Sequence, residues 1–206
     1  MTLAAFELWI YAGALLALFL TPGPVWLALM ARGMSGGFHA AWPLAIGVAV
    51  GDIIWPLLAI LGAAWVVSEF EQITMILRIV AVGMFVAMGG LLIVHSGRAI
   101  ARDGRLTRPG MLPGFLAGLA AILGNPKAIL FYMGVLPGFF DLARVTETDI
   151  AVIVFLSFIV PLTGNILVSL LVGRLSGMLT SPGALQKVNV VSGAALVVVG
   201  LVIAMT

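Results

Sequence analysis

The sequence has no cysteine and very little charge: of its 206 residues, only 9% are Asp, Glu, Lys or Arg. Without thiols there is no disulfide, no thiolate metal site and no thiol-redox chemistry. A soluble domain carries roughly 25% charged residues. Here 63% of residues are hydrophobic and the mean hydropathy is +1.25, more apolar side chain than one core of this length can hide from water. A water-soluble enzyme, a nucleic-acid binder and a disordered chain are excluded together. Basic excess is also slight. Ten Lys and Arg against eight Asp and Glu leave a net charge of +2, so the placement of the cations matters more than their sum. What remains is an all-α integral membrane protein whose solvent is the lipid bilayer.

A bilayer crossing takes about 20 mostly apolar residues. On that measure the chain predicts six segments, about Leu8 to Ala31, Phe38 to Val67, Ile73 to Arg98, Phe115 to Phe140, Ile150 to Val172 and Val188 to Met205. Thr21-Pro22-Gly23-Pro24 interrupts the first and Asn125-Pro126-Lys127 the fourth, while Asp52 sits near the middle of the second. The intervening loops are too short for a soluble domain, so residues 1–206 read as one transmembrane domain. The first segment has Glu7 where a secretory signal has a basic flank, and its apolar run is too long, so it reads as retained.

The loops after segments one, three and five hold Arg32, then Arg98, Arg102, Arg105 and Arg108, then Arg174 and Lys187, with Asp103 the only acid. The opposite side holds Glu7, Glu69, Glu71, Asp141, Glu147 and Asp149, with Arg144 the only base. Cytoplasmic loops retain Lys and Arg, so both termini are expected outside, with the basic clusters at lipid head groups.

The two halves, about 1–100 and 111–206, resemble each other. Thr-Pro-Gly-Pro in segment one corresponds to Asn-Pro-Lys-Ala in segment four, and Gly51-Asp52-Ile53 to Gly164-Asn165-Ile166. Gly83 and Gly90 precede Leu91-Leu92-Ile93 as Gly193 and Gly200 precede Leu201-Val202-Ile203. With three spans per half, the second copy enters from the other side, giving an inverted three-plus-three repeat with broken first and fourth helices. Such paired, Gly/Pro-interrupted helices point to a site at the membrane midplane.

Thr21-Pro22-Gly23-Pro24, the Gly51-Asp52 pair, Asn125-Pro126-Lys127-Ala128 and the six-span layout resemble the LysE/RhtB family of amino-acid exporters over essentially the whole chain. The chain departs from that pattern at Val25, where the family often has Asn, and at Asn165, where some members carry an acid. The resemblance implies export of an amino acid or related small metabolite from the bacterial cytoplasm, driven by proton exchange across the inner membrane, by a homodimer.

The polar residues inside the spans are the candidate site. Each proline of the first break removes a backbone donor, and freed carbonyls are tolerated at membrane depth only inside protein or at a wet cavity; Thr21, Pro22, Gly23 and Pro24 therefore read as substrate-binding or as a structural kink. Lys127 costs about 2.5–3.5 kcal/mol at a helix centre even on a lenient scale. It needs an anionic partner, either Asp52 in a structural ion pair or a substrate carboxylate. Asp52, the only acid well inside a span, is the candidate proton-coupling residue, because its protonation would respond to the position of Lys127; a salt-bridge anchor is the plainer role. Asn125, with Pro126, and Asn165 offer amides to a zwitterion or serve as interhelical glue. Trp26, Trp55 and Phe131 line a pocket or pack the core. His39 and His95 read as interfacial, and the glycines at 83, 90, 193 and 200 as points of close helix contact, within a protomer or across a dimer.

The leading expectation is a secondary exporter working by alternating access, with no cofactor and no bound metal. The alternatives are a divalent-cation or other small-ion exporter, weakened by the single intramembrane acid and the peripheral histidines, and an intramembrane enzyme. The latter lacks a nucleophile–base pair at one depth, since Ser157, Thr163 and Ser169 have no histidine at the membrane centre.

Overall fold

A computed structural model describes residues 2–69, 73–96, 110–142, 144–180 and 182–205, which are helical almost throughout, with no strand among them. The helices are α1 (Ala5–Leu20), α2 (Pro24–Glu69), α3 (Ile73–Val94), α4 (Met111–Leu123) and α5 (Pro126–Leu130). α5 runs through a π-helical turn (Phe131–Val135) into α6 (Leu136–Phe139), followed by α7 (Glu147–Thr180) and α8 (Pro182–Met205). All six expected segments contain helix, and the breaks fall where the prolines put them. α1 stops at Leu20 and α2 begins at Pro24; α4 bends by 52° into the stretch that starts at Lys127. Two arms of α2, residues 24–35 and 38–69, meet at Gly36 and Gly37. Gly37 has φ 65° and ψ −159°, a region that essentially only glycine enters, so this turn separates the first expected segment from the second. By length and composition Pro24–Gly62 and Glu147–Val172 can each cross a membrane, and the bent pair α4 with Lys127–Phe139 makes a third when counted as one span.

Lipid tails are as apolar as leucine, so helices in a bilayer associate through close packing of small residues. α2 lies against α4 and α7, and α3 against α8. A methyl group added at Gly47 would fall on the Phe115 carbonyl, and one at Gly118 on the Leu44 carbonyl. Gly89 and Gly193 meet in the same way between α3 and α8. Gly193, one of the glycines expected at close helix contacts, is at this crossing opposite Gly89, while within this chain a methyl at Gly83 or Gly90 would meet nothing within 4 Å. Tyr11, Leu15, Leu29, Leu44, Phe131 and Tyr132 fill the interior, while large apolar side chains such as Trp9, Leu61, Met75, Ile79 and Val191 are exposed. An apolar exterior is what a bilayer-facing surface requires.

Two expected loop charges are structural. Arg32 lies in the first arm of α2 and is only 2% exposed; its Nε donates to the Ala40 carbonyl at 2.6 Å and an Nη to the Gly110 carbonyl at 2.9 Å. It fastens the glycine turn to the start of α4 and does not sit at a head group. Asp149, at the first turn of α7, is fully buried and accepts from the Thr2 amide at 3.1 Å, the Thr2 hydroxyl at 2.8 Å and the Thr146 hydroxyl at 2.6 Å. The chain's beginning is thereby tied to the start of α7. Glu71, Arg98, Arg102, Asp103, Arg105 and Arg108 lie outside the described residues.

The α2–α4 crossing gives a direct test. Gly118→Ala should force the helices apart, an overpacking cost of about 1–3 kcal/mol or more, and reduce the monodisperse fraction in detergent size-exclusion chromatography. Gly83→Ala, where the methyl meets no neighbour, should leave that fraction unchanged.

Candidate functional site

A helix leaves its last four carbonyls without intrahelical donors, and at membrane depth each must find another. α1 ends at Leu20, and all four of its terminal carbonyls are matched. Ala17 O accepts the Thr21 hydroxyl at 2.9 Å and the Thr21 amide at 3.2 Å. Leu18 O accepts Lys127 Nζ at 2.9 Å, Phe19 O the Trp26 indole at 2.8 Å, and Leu20 O the Ser192 hydroxyl at 3.0 Å. Lys127 Nζ also donates to Thr21 O at 2.6 Å. Opposite, where α4 ends, Ile122 O accepts from the Asn125 amide at 3.1 Å and the Trp55 indole at 3.3 Å, and the Asn125 side chain caps the next helix through the Lys127 amide at 3.2 Å. Each break is stitched by side chains from elsewhere in the chain, and Lys127 joins the two.

Between the breaks lies a cavity of about 450 Å³, counting its open mouth. Its polar lining comes from Gly23, Asp52, Asn125, Lys127 and Asn165; the walls are apolar, with Leu15, Val48, Trp26 and Pro161 among them. Five of the expected site residues therefore meet around one space. Thr21, Pro22 and Pro24 shape the break without lining the cavity, and Pro126 starts the helix that carries Lys127. Of the expected aromatic residues Trp26 lines the cavity; Trp55 caps Ile122, and Phe131 is buried between the rings of Tyr11 and Tyr132.

Lys127 and Asp52 both reach the cavity but form no ion pair among the described residues. Asp52 is 3% exposed and accepts the Tyr132 hydroxyl at 3.2 Å. Lys127 takes its two acceptors from backbone, a partner that residue-type reasoning left out. An ammonium has three donors, so one remains for the cavity. Its position at the C-terminal end of α1 also suits the negative end of that helix's dipole. Asn165 is 1% exposed and its Oδ1 has no hydrogen-bond partner. A buried, unpaired acceptor costs about 1–3 kcal/mol, and Asn165 is among the residues that line the cavity. Gly51, just before Asp52, rests on Ile122 at the end of α4, and Gly164, just before Asn165, rests on Phe19 at the end of α1. Each of these polar residues is thus seated against a broken helix.

Sequence reasoning missed Tyr132 as the partner of Asp52. Its one available signal was rarity, for the chain has only two tyrosines. Comparison with known proteins places these observations in a family. The model for LysE type translocators matches residues 16–206. The chain belongs to that family. It is 31% identical to an uncharacterised membrane protein of Synechocystis over 192 residues, 92% of this chain and 91% of the relative. It is also 32% identical to the chemotactic transduction protein ChpE of Pseudomonas aeruginosa over 60% of this chain and 61% of that one. Identity is 26% to the leucine efflux protein of Salmonella typhimurium over 74% of this chain and 76% of the relative. No solved structure matches the chain. This LysE family translocator is thus a multi-pass protein of a bacterial membrane-transporter family.

Removing the ammonium should expose its structural share. Lys127→Met leaves the Thr21 carbonyl without its donor, at a cost of roughly 1–3 kcal/mol. The variant should insert in the membrane, melt earlier in detergent and transport nothing. An unchanged melting temperature would show that the carbonyl contacts contribute no stability.

Proposed function

We propose that this LysE type translocator is a secondary exporter of an amino acid or related small metabolite from the bacterial cytoplasm, working by proton exchange and alternating access. The observation that carries the reading is one cavity, between two helix breaks, that offers a cation, an acid, an unpaired amide oxygen and apolar walls. A zwitterion matches that set group by group. Its carboxylate takes the remaining donor of Lys127, helped by the amides of Val25 and Trp26 in the first turn of the 24–35 arm, which have no acceptor four residues back. Its ammonium takes Asn165 Oδ1 and Asp52. An aliphatic side chain lies along Leu15, Val48, Ile122 and Trp26. The leucine efflux relatives agree with such a ligand.

In this reading Asp52 serves the substrate ammonium and the coupling proton in turn, so each half of the cycle carries only one of them. The architecture is six spans in an inverted three-plus-three repeat within one domain, and the matched seating of Gly51 on Ile122 and Gly164 on Phe19 supports the repeat. A homodimer in the inner membrane, with both termini outside, completes the proposal.

Inside-out vesicles with an imposed proton gradient, screened across amino-acid classes, test the function. Gradient-driven uptake of at least one class is expected, and none for any class would overturn the reading. Asp52→Asn should lose uphill accumulation while counterflow persists at a reduced level. Uphill transport by that variant, with unchanged pH dependence, would move the coupling elsewhere.

Loop charge supports the orientation, which cysteine labelling of intact cells tests separately. Glu69→Cys and Thr146→Cys should react with an impermeant reagent from outside, and Gly104→Cys should not. Labelling at residue 104 would reverse the orientation.

A further inference from the structure

Two glycines that do not line the cavity hold residues that do. Gly164 is buried in α7, and a methyl group added there would meet Phe19 Cε1 and Cζ at 2.6 Å and Cε2 at 2.8 Å. A methyl added at Gly51 in α2 would meet Ile122 Cγ2. Phe19 and Ile122 both line the cavity, one at the end of α1 and the other at the end of α4. These contacts differ in kind from those at Gly47 and Gly118, where a methyl would fall on a backbone carbonyl and the helix spacing is at stake. At Gly164 the neighbour is the far edge of an aromatic ring. Adhesion of α1 to α7 explains why a glycine stands there. It does not explain why the residue received belongs to the cavity wall, or why Gly51 repeats the arrangement at the second break.

Phe19 is half-buried, and its ring is held on a second side as well. It lies 5.7 Å from the ring of Trp26, a buried residue whose indole donates to the Phe19 carbonyl at 2.8 Å. Leu15, four residues earlier and so on the same face of α1, also lines the cavity. With α7 behind it at Gly164 and Trp26 beside it, the ring has its free side toward the cavity. Leu15 and Trp26 are two of the residues along which the substrate's aliphatic side chain lies in the reading above, and Phe19 adjoins both.

We propose that Phe19 sets the longest side chain this exporter accepts, with Gly164 as the positioning residue that seats its ring, and that the substrate is an aliphatic α-amino acid. The proposal rests on the amino-acid reading above. A methyl at 164 removes the seat, and the ring edge has to move by about 1 Å to regain ordinary carbon–carbon contact. Because the atoms concerned are the far edge of a side chain, rotation about its χ angles relieves the clash without separating α1 from α7. Trp26 blocks one direction, so the ring moves into the space that the ligand uses. Shortening Phe19 to leucine lengthens that space instead. Both changes act on side-chain length, since the carboxylate and ammonium of the substrate are assigned to Lys127, Asn165 and Asp52.

The test uses the full chain in liposomes and the straight-chain series L-alanine, L-α-aminobutyrate, L-norvaline and L-norleucine, in which the side chain lengthens stepwise. Counterflow of each radiolabelled member gives its KM, and the readout is that KM divided by the KM of the shortest member carried. Gly164→Ala should raise this ratio at least about tenfold for the longest member the wild type carries, the low side of what one methylene is worth in an apolar pocket. Phe19→Leu should lower it, and the double variant should fall between the two. An unchanged ratio in either single variant overturns the proposal. So does a Gly164→Ala variant that loses all members alike and is not restored by adding Phe19→Leu, which would make the glycine a packing contact only. If the wild type carries other amino-acid classes but none of this series, the exporter reading stands and this proposal falls. If it carries no class at all, the exporter reading falls and takes the proposal with it.

Discussion

A helix that stops inside a bilayer presents carbonyls to a medium with no donors of its own, and the fold around the cavity follows from how this chain supplies them. At the end of α1 the donors are Thr21, Lys127, Trp26 and Ser192. Their positions range from the break itself to α8, so the break holds only when the distant helices are in place. The Lys127 contact has the largest reach in consequence. It carries the break in α1 to the break after α4 and puts a cation where the two helix ends face each other. The cavity is the space left between ends that cannot close on themselves.

The same contact supplies a means of switching. Two ammonium donors are taken by backbone, and in the proposed function the substrate carboxylate takes the third. The same charge would then be shared between the α1 end and the substrate. A ligand shifts an equilibrium only through a differential interaction with two conformations, and in the proposed function this shared ammonium would supply one at the helix end. Asp52 adds a second dependence, since its charge sets the field in which Lys127 chooses between partners. In the proposed function, binding, protonation and the position of α1 would then be parts of one equilibrium.

How much of this was legible in sequence depends on the range of the interaction. Helix content and both proline breaks follow from local chemistry, because proline removes a donor wherever it stands; the Gly36–Gly37 turn went unread. The gathering of Gly23, Asp52, Asn125, Lys127 and Asn165 was also legible, because a costly residue in an apolar segment has to face something polar. Partner choice was not. Asp52 and Lys127 are opposite in charge, yet each binds something else, a tyrosine and two carbonyls. Backbone carbonyls are invisible in a reading by residue type until the helix that frees them is placed in space. Arg32 was misread for the same reason, its acceptors being carbonyls at Ala40 and Gly110.

Arg32 and Lys127 make opposite use of a buried cation, and their chemistry accounts for the difference. Both donate to carbonyls of segments remote from their own backbone. Guanidinium is planar, with donors in a rigid fork, so Arg32 can reach Ala40 and Gly110 at once only while the turn at Gly37 and the start of α4 keep their relative positions. That suits a fastening between parts that move together. Ammonium is a point charge on a flexible stem with donors that rotate freely, so Lys127 can give up a carbonyl for a carboxylate without leaving its place. That would suit the substrate contact of the proposed transport cycle. A guanidinium at 127 would hold the α1 break more firmly and release it less readily, and a lysine at 32 would leave the glycine turn less well fixed. The two cations thus hold different parts of the bundle, Arg32 the glycine turn and Lys127 the α1 break.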